Sequence, residues 1–352
     1  MDNPCAMNKT VFLFVGPHRS GSTFLLGQIF PHVRNLCNMR SHDPACSDVV
    51  MEAMDEHPMF IDIDAYRERI YSRFDSIEED NVLIGNEEFF GDYGKYISDG
   101  AYVAKPFYDN PQRVDLLAKL FDNPKIILTP RRQDLWVESA YMHFVHNSHT
   151  ITVDEFLSPG MAWGTSEFRT RSRKPSMDYR TLDWSLYVRN YHRVFGRENV
   201  VVLPHEMILH DLNDALAKLY EFMGVEPYYP EKVAYVNRSY SASAHRIALL
   251  LNRFVRQGSY CSSCGIFPTQ PFLGEIQRKR EVKDTRWLWF LAGISRRISL
   301  HWFLGQFLGK FNYKKPDILG SEFRTQILDF YRQKNKAYAE LIGMDLAKYG
   351  YY

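Results

Sequence analysis

Residues that could do chemistry gather first at Val15 to Leu25, which read VGPHRSGSTFL. Glycines at 16 and 21 allow a tight turn, and Ser20, Ser22 and Thr23 bring hydroxyl donors. A β-branched and aromatic run, TVFLFVG from Thr10 to Gly16, precedes this loop, and an apolar stretch from Thr23 to Phe30 follows it. Strand, glycine loop and helix in that order point backbone N–H groups and the positive helix end at an anion, so the direct reading is a phosphate site. The spacing matches the ATP-binding loop G-x-x-x-x-G-K-[ST], except that Ser22 stands where the lysine belongs. A cation is present instead at Arg19, two residues before Gly21.

A second cluster lies in KIILTPRRQDLWVESAYMHFV, Lys125 to Val145: an apolar strand, the pair Arg131 and Arg132, then a helix carrying Ser139. An arginine suits phosphate because its planar fork meets two oxygens at once. A one-residue slip between strand and helix would exchange the two arginines, and the sequence does not choose between them. An acidic pair, Glu87 and Glu88, follows a third strand-like run in GNEEFFGDYGKYI. Either could act as a base, and adjacent residues on a strand face opposite ways, so one of them is expected to enter the site.

Together these segments resemble the PAPS-dependent sulfotransferase superfamily, in particular its bacterial and glycosaminoglycan-type members. PAPS is 3′-phosphoadenosine 5′-phosphosulfate. The loop P-x-R-S-G-[ST]-T at Pro17 to Thr23 is similar to the family's 5′-phosphosulfate loop, and Arg131 with Ser139 eight residues on has the spacing of its 3′-phosphate site. The glutamate before paired aromatics resembles the family's catalytic base. YVAKPFYD, Tyr102 to Asp109, is similar to a family motif E-K-[TS]-P-x-Y, which puts Lys105 on the family lysine; Ala104 and the missing Thr or Ser depart from it. ENVVVLPHEMI at Glu198 to Ile208, VNRS at Val236 to Ser239 and the FYRQKN and LIGMD stretches near the end of the chain extend the likeness.

The resemblance implies a PAPS-dependent transferase, with Arg19, Ser20, Gly21, Ser22, Thr23, Arg131, Arg132 and Ser139 as candidate cofactor-binding residues. Candidate catalytic residues are Glu87, Glu88, Arg19 and Lys105. The co-substrate is PAPS, the product 3′,5′-adenosine bisphosphate (PAP), no metal is required, and the acceptor is a small molecule or carbohydrate bearing a hydroxyl or amine. The alternatives are a P-loop kinase or NTPase, or a non-catalytic nucleotide-binding scaffold.

Positioning these groups requires an α/β domain, and the apolar runs supply its strands. Thr10–Gly16, Val82–Gly85, Tyr102–Lys105, Lys125–Thr129 and Asn199–Leu203 read as strands, each near a helical pattern. Helices are expected at Arg113–Phe121, Leu135–His146, Leu182–Phe195, Asn213–Met223, Ser243–Val255 and Glu322–Leu341. Short apolar strands alternating with helices predict a three-layer, P-loop-type α/β fold with a central parallel sheet flanked by helices. The 352 residues form one domain in this reading, with 258–312 as an apolar helical insertion or lid.

Composition bounds the rest. With 43 Lys and Arg against 42 Asp and Glu, there is no general attraction for nucleic acid, so any anion site is local. The five cysteines form no disulfide framework; Cys261 and Cys264 lack a second pair that would hold zinc, and His143, His146 and His149 have no carboxylates to complete a metal site. RTRSRKP at Arg169 to Pro175 reads as an exposed basic loop. Residues 1–9 lack the pattern of a signal peptide, which sets a cytoplasmic expectation. Arg296 and Arg297 divide the apolar stretch at 284–312, so neither half approaches the roughly twenty residues of a membrane span, although one face could pack on a core, a partner or a membrane surface.

Overall fold

The computed structural model describes residues 9–91, 106–146, 152–157, 177–231, 241–251, 255–256, 267–268 and 317–352. Its centre is a five-stranded sheet of β1 (Thr10–Phe14), β2 (Leu36–Asn38), β3 (Asn81–Gly85), β4 (Lys125–Leu128) and β5 (Val200–Val202). The strand order is β2-β3-β1-β4-β5, and every pair is parallel. Parallel strands are covered on both faces and therefore read as unbroken apolar runs. In β1, Val11 and Leu13 turn to one face and Phe12 and Phe14 to the other, and all four are at most 4% exposed.

The expected architecture is thus observed, with a central parallel sheet between helices. The first crossover runs from β1 past β3 to β2, and the later ones return in the opposite direction. Because such crossovers are right-handed, the first helical segment falls on one face and those that follow fall on the other. That first segment is a single α-turn, α1 (Ser22–Phe24), continued as a π-helix over Leu25–Ile29 and a 3₁₀ turn at Phe30–His32, where the pattern predicted one regular helix. Phe30 meets Phe14 at 6.3 Å between ring centroids.

Helices α2 (Ala45–Asp55) and α3 (Ile63–Tyr71) precede β3, and α4 (Asn110–Leu120) follows it. Next come α5 (Gln133–His146), α6 (Trp184–Phe195), α7 (His205–His210), α8 (Leu212–Met223), α9 (Ala242–Leu251) and α10 (Gly320–Ile342). Helix α8 returns to the face of α1, where Phe222 meets Phe12 at 6.4 Å. Helix α6 packs on β5, α4 and α10, and α10 also lies against α5.

Four predicted strands and six predicted helices are present with shifted ends. Val255, expected to close a helix, instead pairs with Phe267 in a separate two-stranded parallel pair. Strand β2 and helices α2, α3 and α7 were not predicted. No helix among the described residues is long and apolar enough to cross a membrane. The strand expected at 102–105, the basic loop at 169–175, His149, the VNRS loop, Cys261, Cys264 and the apolar stretch at 284–312 lie outside the described residues.

Candidate active site

In a parallel sheet all strands end on the same side, and ligands bind in the crevice outside their carboxyl ends, where the direction of winding reverses. Here the reversal is at β1. The ends of β1, β3, β4 and β5 deliver the glycine loop, Glu87, Arg131 and His205 respectively to one edge of the sheet.

The loop is built against its neighbours without slack. A Cβ at Gly16 would lie 2.1 Å from Thr129 Oγ1, so no larger residue fits. Gly21 has φ 91° and turns the chain into α1, where Phe24 and Leu25 N–H groups donate to its carbonyl at 3.1 and 3.2 Å. Arg19 also has a positive φ, 67°, which is strained for a residue with a long side chain. Three contacts hold that conformation. Arg131 Nη1 donates to the Arg19 carbonyl at 2.8 Å, Arg19 Nε donates to Ser139 Oγ at 3.1 Å, and Trp136 Nε1 donates to the His18 carbonyl at 2.7 Å. The structure therefore brings Arg19, Arg131 and Ser139 together from two segments far apart in sequence.

The two adjacent arginines diverge. Arg132 turns away from the loop: Nε and Nη2 donate to the buried Asp134 carboxylate at 2.7 and 3.0 Å, Nη1 donates to the Tyr349 carbonyl at 2.9 Å, and its backbone N–H meets Glu206. Arg131 makes no ion pair with a carboxylate among the described residues. Burial lowers the pKa of its guanidinium, and the nearby Arg19 adds to that, while Glu206, Glu138 and Asp134 oppose it.

Among the described residues, three buried polar atoms on residues beside the loop have no hydrogen-bond partner: Thr129 Oγ1, Arg131 Nε and His205 Nδ1. Buried polar atoms are nearly always paired, so orphans on three residues beside one loop leave room there for a further polar partner. His205 lies close enough that a Cβ at Gly21 would be 3.0 Å from its ring, and its backbone N–H donates to the Pro130 carbonyl at 2.7 Å. Burial, with Arg131 and His210 adding to it, pushes its pKa well below 6.5 and keeps the ring neutral.

The acidic pair lies on a 3₁₀ turn, Glu87–Phe90, and not on a strand, because β3 stops at Gly85 and Asn86 caps the turn by accepting from Glu88 N–H at 3.0 Å. The two side chains still part. Glu87 reaches the loop, its Oε1 3.1 Å from His18 Nδ1 and its Oε2 accepting from Ser22 Oγ at 2.7 Å. Burial acts to raise the Glu87 pKa, but the hydrogen bonds from His18 and Ser22 and the charges of His18 and Arg19 outweigh it and hold the carboxyl at about 2. Glu88 is exposed, and its carbonyl accepts from Arg113.

Ser20 and Ser22 are buried in the loop, and Thr23 is exposed at the start of α1. Lys105 lies outside the described residues. Sequence reasoning missed His18, Thr129 and His205, all of which sit inside segments whose neighbours drew attention. Their only signal is position, since a histidine or threonine next to a motif carries no periodicity of its own.

No family model matches the sequence, and no curated protein is similar to it. Among solved structures the chain is similar to a sulfotransferase from Alicyclobacillus acidocaldarius, at 18% identity and a TM-score of 0.42 over 65% of this chain and 87% of that one. It is also similar to the sulfotransferase domain of the Synechococcus PCC 7002 olefin synthase, at 14% identity and 0.30 over 92% and 94%. The sulfotransferase domain of the curacin biosynthetic pathway matches at 15% identity and 0.31 over 91% and 96%.

Proposed function

We propose that this protein is a sulfotransferase that moves a sulfuryl group from PAPS to an acceptor hydroxyl or amine on a carbohydrate or small molecule. The observation that carries this reading is the meeting of Arg19, Arg131 and Ser139 at the glycine loop, beside buried polar atoms that lack partners. When bound, PAPS supplies an activated sulfuryl group on a 5′-phosphate whose charge grows as it leaves.

Arg19 and the loop N–H groups would stabilise that charge, since donors fixed beforehand need no reorganisation at the moment of reaction. Arg131 and Ser139 would hold the 3′-phosphate; the ties of Arg132 to Asp134, Tyr349 and Glu206 favour Arg131 over it. Glu87 supplies the carboxylate that serves removal of the acceptor's proton, while Glu88 faces solvent. Lys105 stays a proposed second cation at the transferring group. This reading asks for no metal, because side-chain cations do the neutralising. Against an ATP-dependent kinase, the residue in the lysine position is Ser22, and its hydroxyl is engaged by Glu87.

Calorimetric titration with PAP, alongside ATP and magnesium, tests the proposal. The expected result is selective, metal-independent binding of PAP, weakened roughly tenfold or more by Arg131→Ala and by Ser139→Ala, as the loss of a charge-assisted hydrogen bond implies. Preference for magnesium-ATP would return the chain to the kinase reading. Binding of PAP with no transfer to a broad acceptor panel would leave a nucleotide-binding scaffold.

A further inference from the structure

Resting on the sulfuryl-transfer reading, the contacts around the backbone of Arg131 bear on what aims that side chain at its anion. They come from two helices, α6 and α7. The Pro130 carbonyl accepts from the His205 backbone N–H at 2.7 Å. The Arg131 carbonyl accepts from Trp184 Nε1 at 2.7 Å, and the N–H of the same peptide group, that of Arg132, meets the two Glu206 carboxylate oxygens at 3.1 and 3.2 Å. A planar peptide held at its oxygen and at its nitrogen has little freedom to turn, so the direction in which the Arg131 side chain leaves the backbone is fixed.

Glu206 is held in its turn. It is 2% exposed, and its Oε2 accepts from the Tyr351 hydroxyl at 2.7 Å. Tyr351 is fully buried in the segment after α10, and its carbonyl accepts from Asn335 Nδ2 at 3.0 Å. Asn335 and Gln133, at the start of α5, exchange two more hydrogen bonds at 2.8 and 3.1 Å. Gly350 has φ 73°, and a Cβ there would lie 2.6 Å from Arg132 Nη1, so both the turn and the close approach suit a residue without a side chain. Burial pushes the Glu206 carboxyl up, while the Tyr351 hydrogen bond and the charge of Arg131 oppose this. A negative charge near Arg131 works against an anion binding there, so what Glu206 contributes to the site is direction and not attraction.

We propose that Tyr351 and Glu206 are positioning residues of the anion site: the segment after α10 sets the aim of Arg131, and through it the affinity for the 3′-phosphate of the donor. Both act through the Arg131–Arg132 peptide.

The test uses the full chain and calorimetric titration with PAP. Tyr351→Phe is expected to weaken binding about tenfold, the worth of one hydrogen bond to a charged group. Glu206→Gln keeps an acceptor for the Arg132 N–H and a partner for the Tyr351 hydroxyl, and should stay within about threefold of the wild type. Two controls separate aiming from general support. Tyr349→Phe removes a hydrogen bond to the Asp211 carboxylate from the same segment and should leave PAP affinity unchanged. In an Arg131→Met background, Tyr351→Phe should weaken binding no further, because its effect passes through that arginine. In turnover with PAPS as donor and water as acceptor, read by release of inorganic sulfate, Tyr351→Phe should raise KM about tenfold and lower kcat by less than about threefold.

Unchanged PAP affinity in Tyr351→Phe would overturn the proposal. Equal losses in Tyr349→Phe and Tyr351→Phe, or a loss that persists in the Arg131→Met background, would do the same by making the segment a general support of the fold. Failure of the wild-type protein to bind PAP sinks the sulfotransferase reading and this inference with it, and that outcome is seen before any variant is made.

Discussion

Arg131 and Arg132 are neighbours in sequence and belong to opposite kinds of region. Arg132 joins a closed set of charges: Asp134, fully buried, is shared between Arg132 and Arg324, and Arg324 also reaches Glu138 and Asp317. Arg131 and Arg19 face the glycine loop with no carboxylate bonded to either among the described residues, and Arg131 Nε has no partner. The first region satisfies its own charges and so supports the fold. The second holds two guanidinium groups at the ends of the strands with no carboxylate bonded to them, which suits it to meet an anion.

The contrast can be broken most forcefully at Asp134. Asp134→Asn strips two arginines of their shared carboxylate and is expected to cost ~3–5 kcal/mol in chemical denaturation, the typical effect of breaking a buried pair. Arg132→Met should also cost stability while leaving PAP affinity nearly unchanged, whereas Arg131→Met should do the reverse; equal effects of the two on binding would erase the distinction drawn here.

A smaller effect is expected in the pH dependence at Glu87. Its folded pKa of about 2 lies below its ordinary 4.5, so the stability it contributes is fully present above 4.5 and is lost as pH falls through 2. Unfolding free energies of the wild type and Glu87→Gln should therefore converge between pH 5 and pH 2, and a constant difference would show that the carboxylate's ionisation is not what holds it. Smallest of all, Glu88→Gln should change stability by less than about 0.5 kcal/mol and leave sulfate release unaltered, because that side chain is exposed.

What could be read beforehand follows the same physical division. Strands β1, β3, β4 and β5 were legible because burial on both faces forces consecutive apolar residues, as in KIIL and VVV. Strand β2 is only Leu36–Asn38 and carries no such run. In α2, ACSDVVMEAMD, the alternation of small, acidic and apolar residues gives no decisive helical period. The glycine loop and the spacing of Arg131 to Ser139 were legible because phosphate recognition constrains residue type and separation together. The choice of Arg131 over Arg132, the reach of Glu87 and the contact with His18 depend on side-chain direction beyond the last strand residue. That direction is set largely by partners distant in sequence, such as Tyr349 for Arg132 and Ser22 for Glu87.

The left-handed backbone of Arg19 has a consequence for how this sequence can change. A conformation of that kind costs a non-glycine residue on the order of 1–3 kcal/mol, and glycine adopts it freely. A laboratory evolution experiment that selects for heat resistance alone would thus find glycine at position 19 an easy gain, at the expense of the cation nearest the glycine turn. Selection that also demands turnover would hold the arginine in place, so the residue recovered at this one position would report which of the two pressures the population had felt.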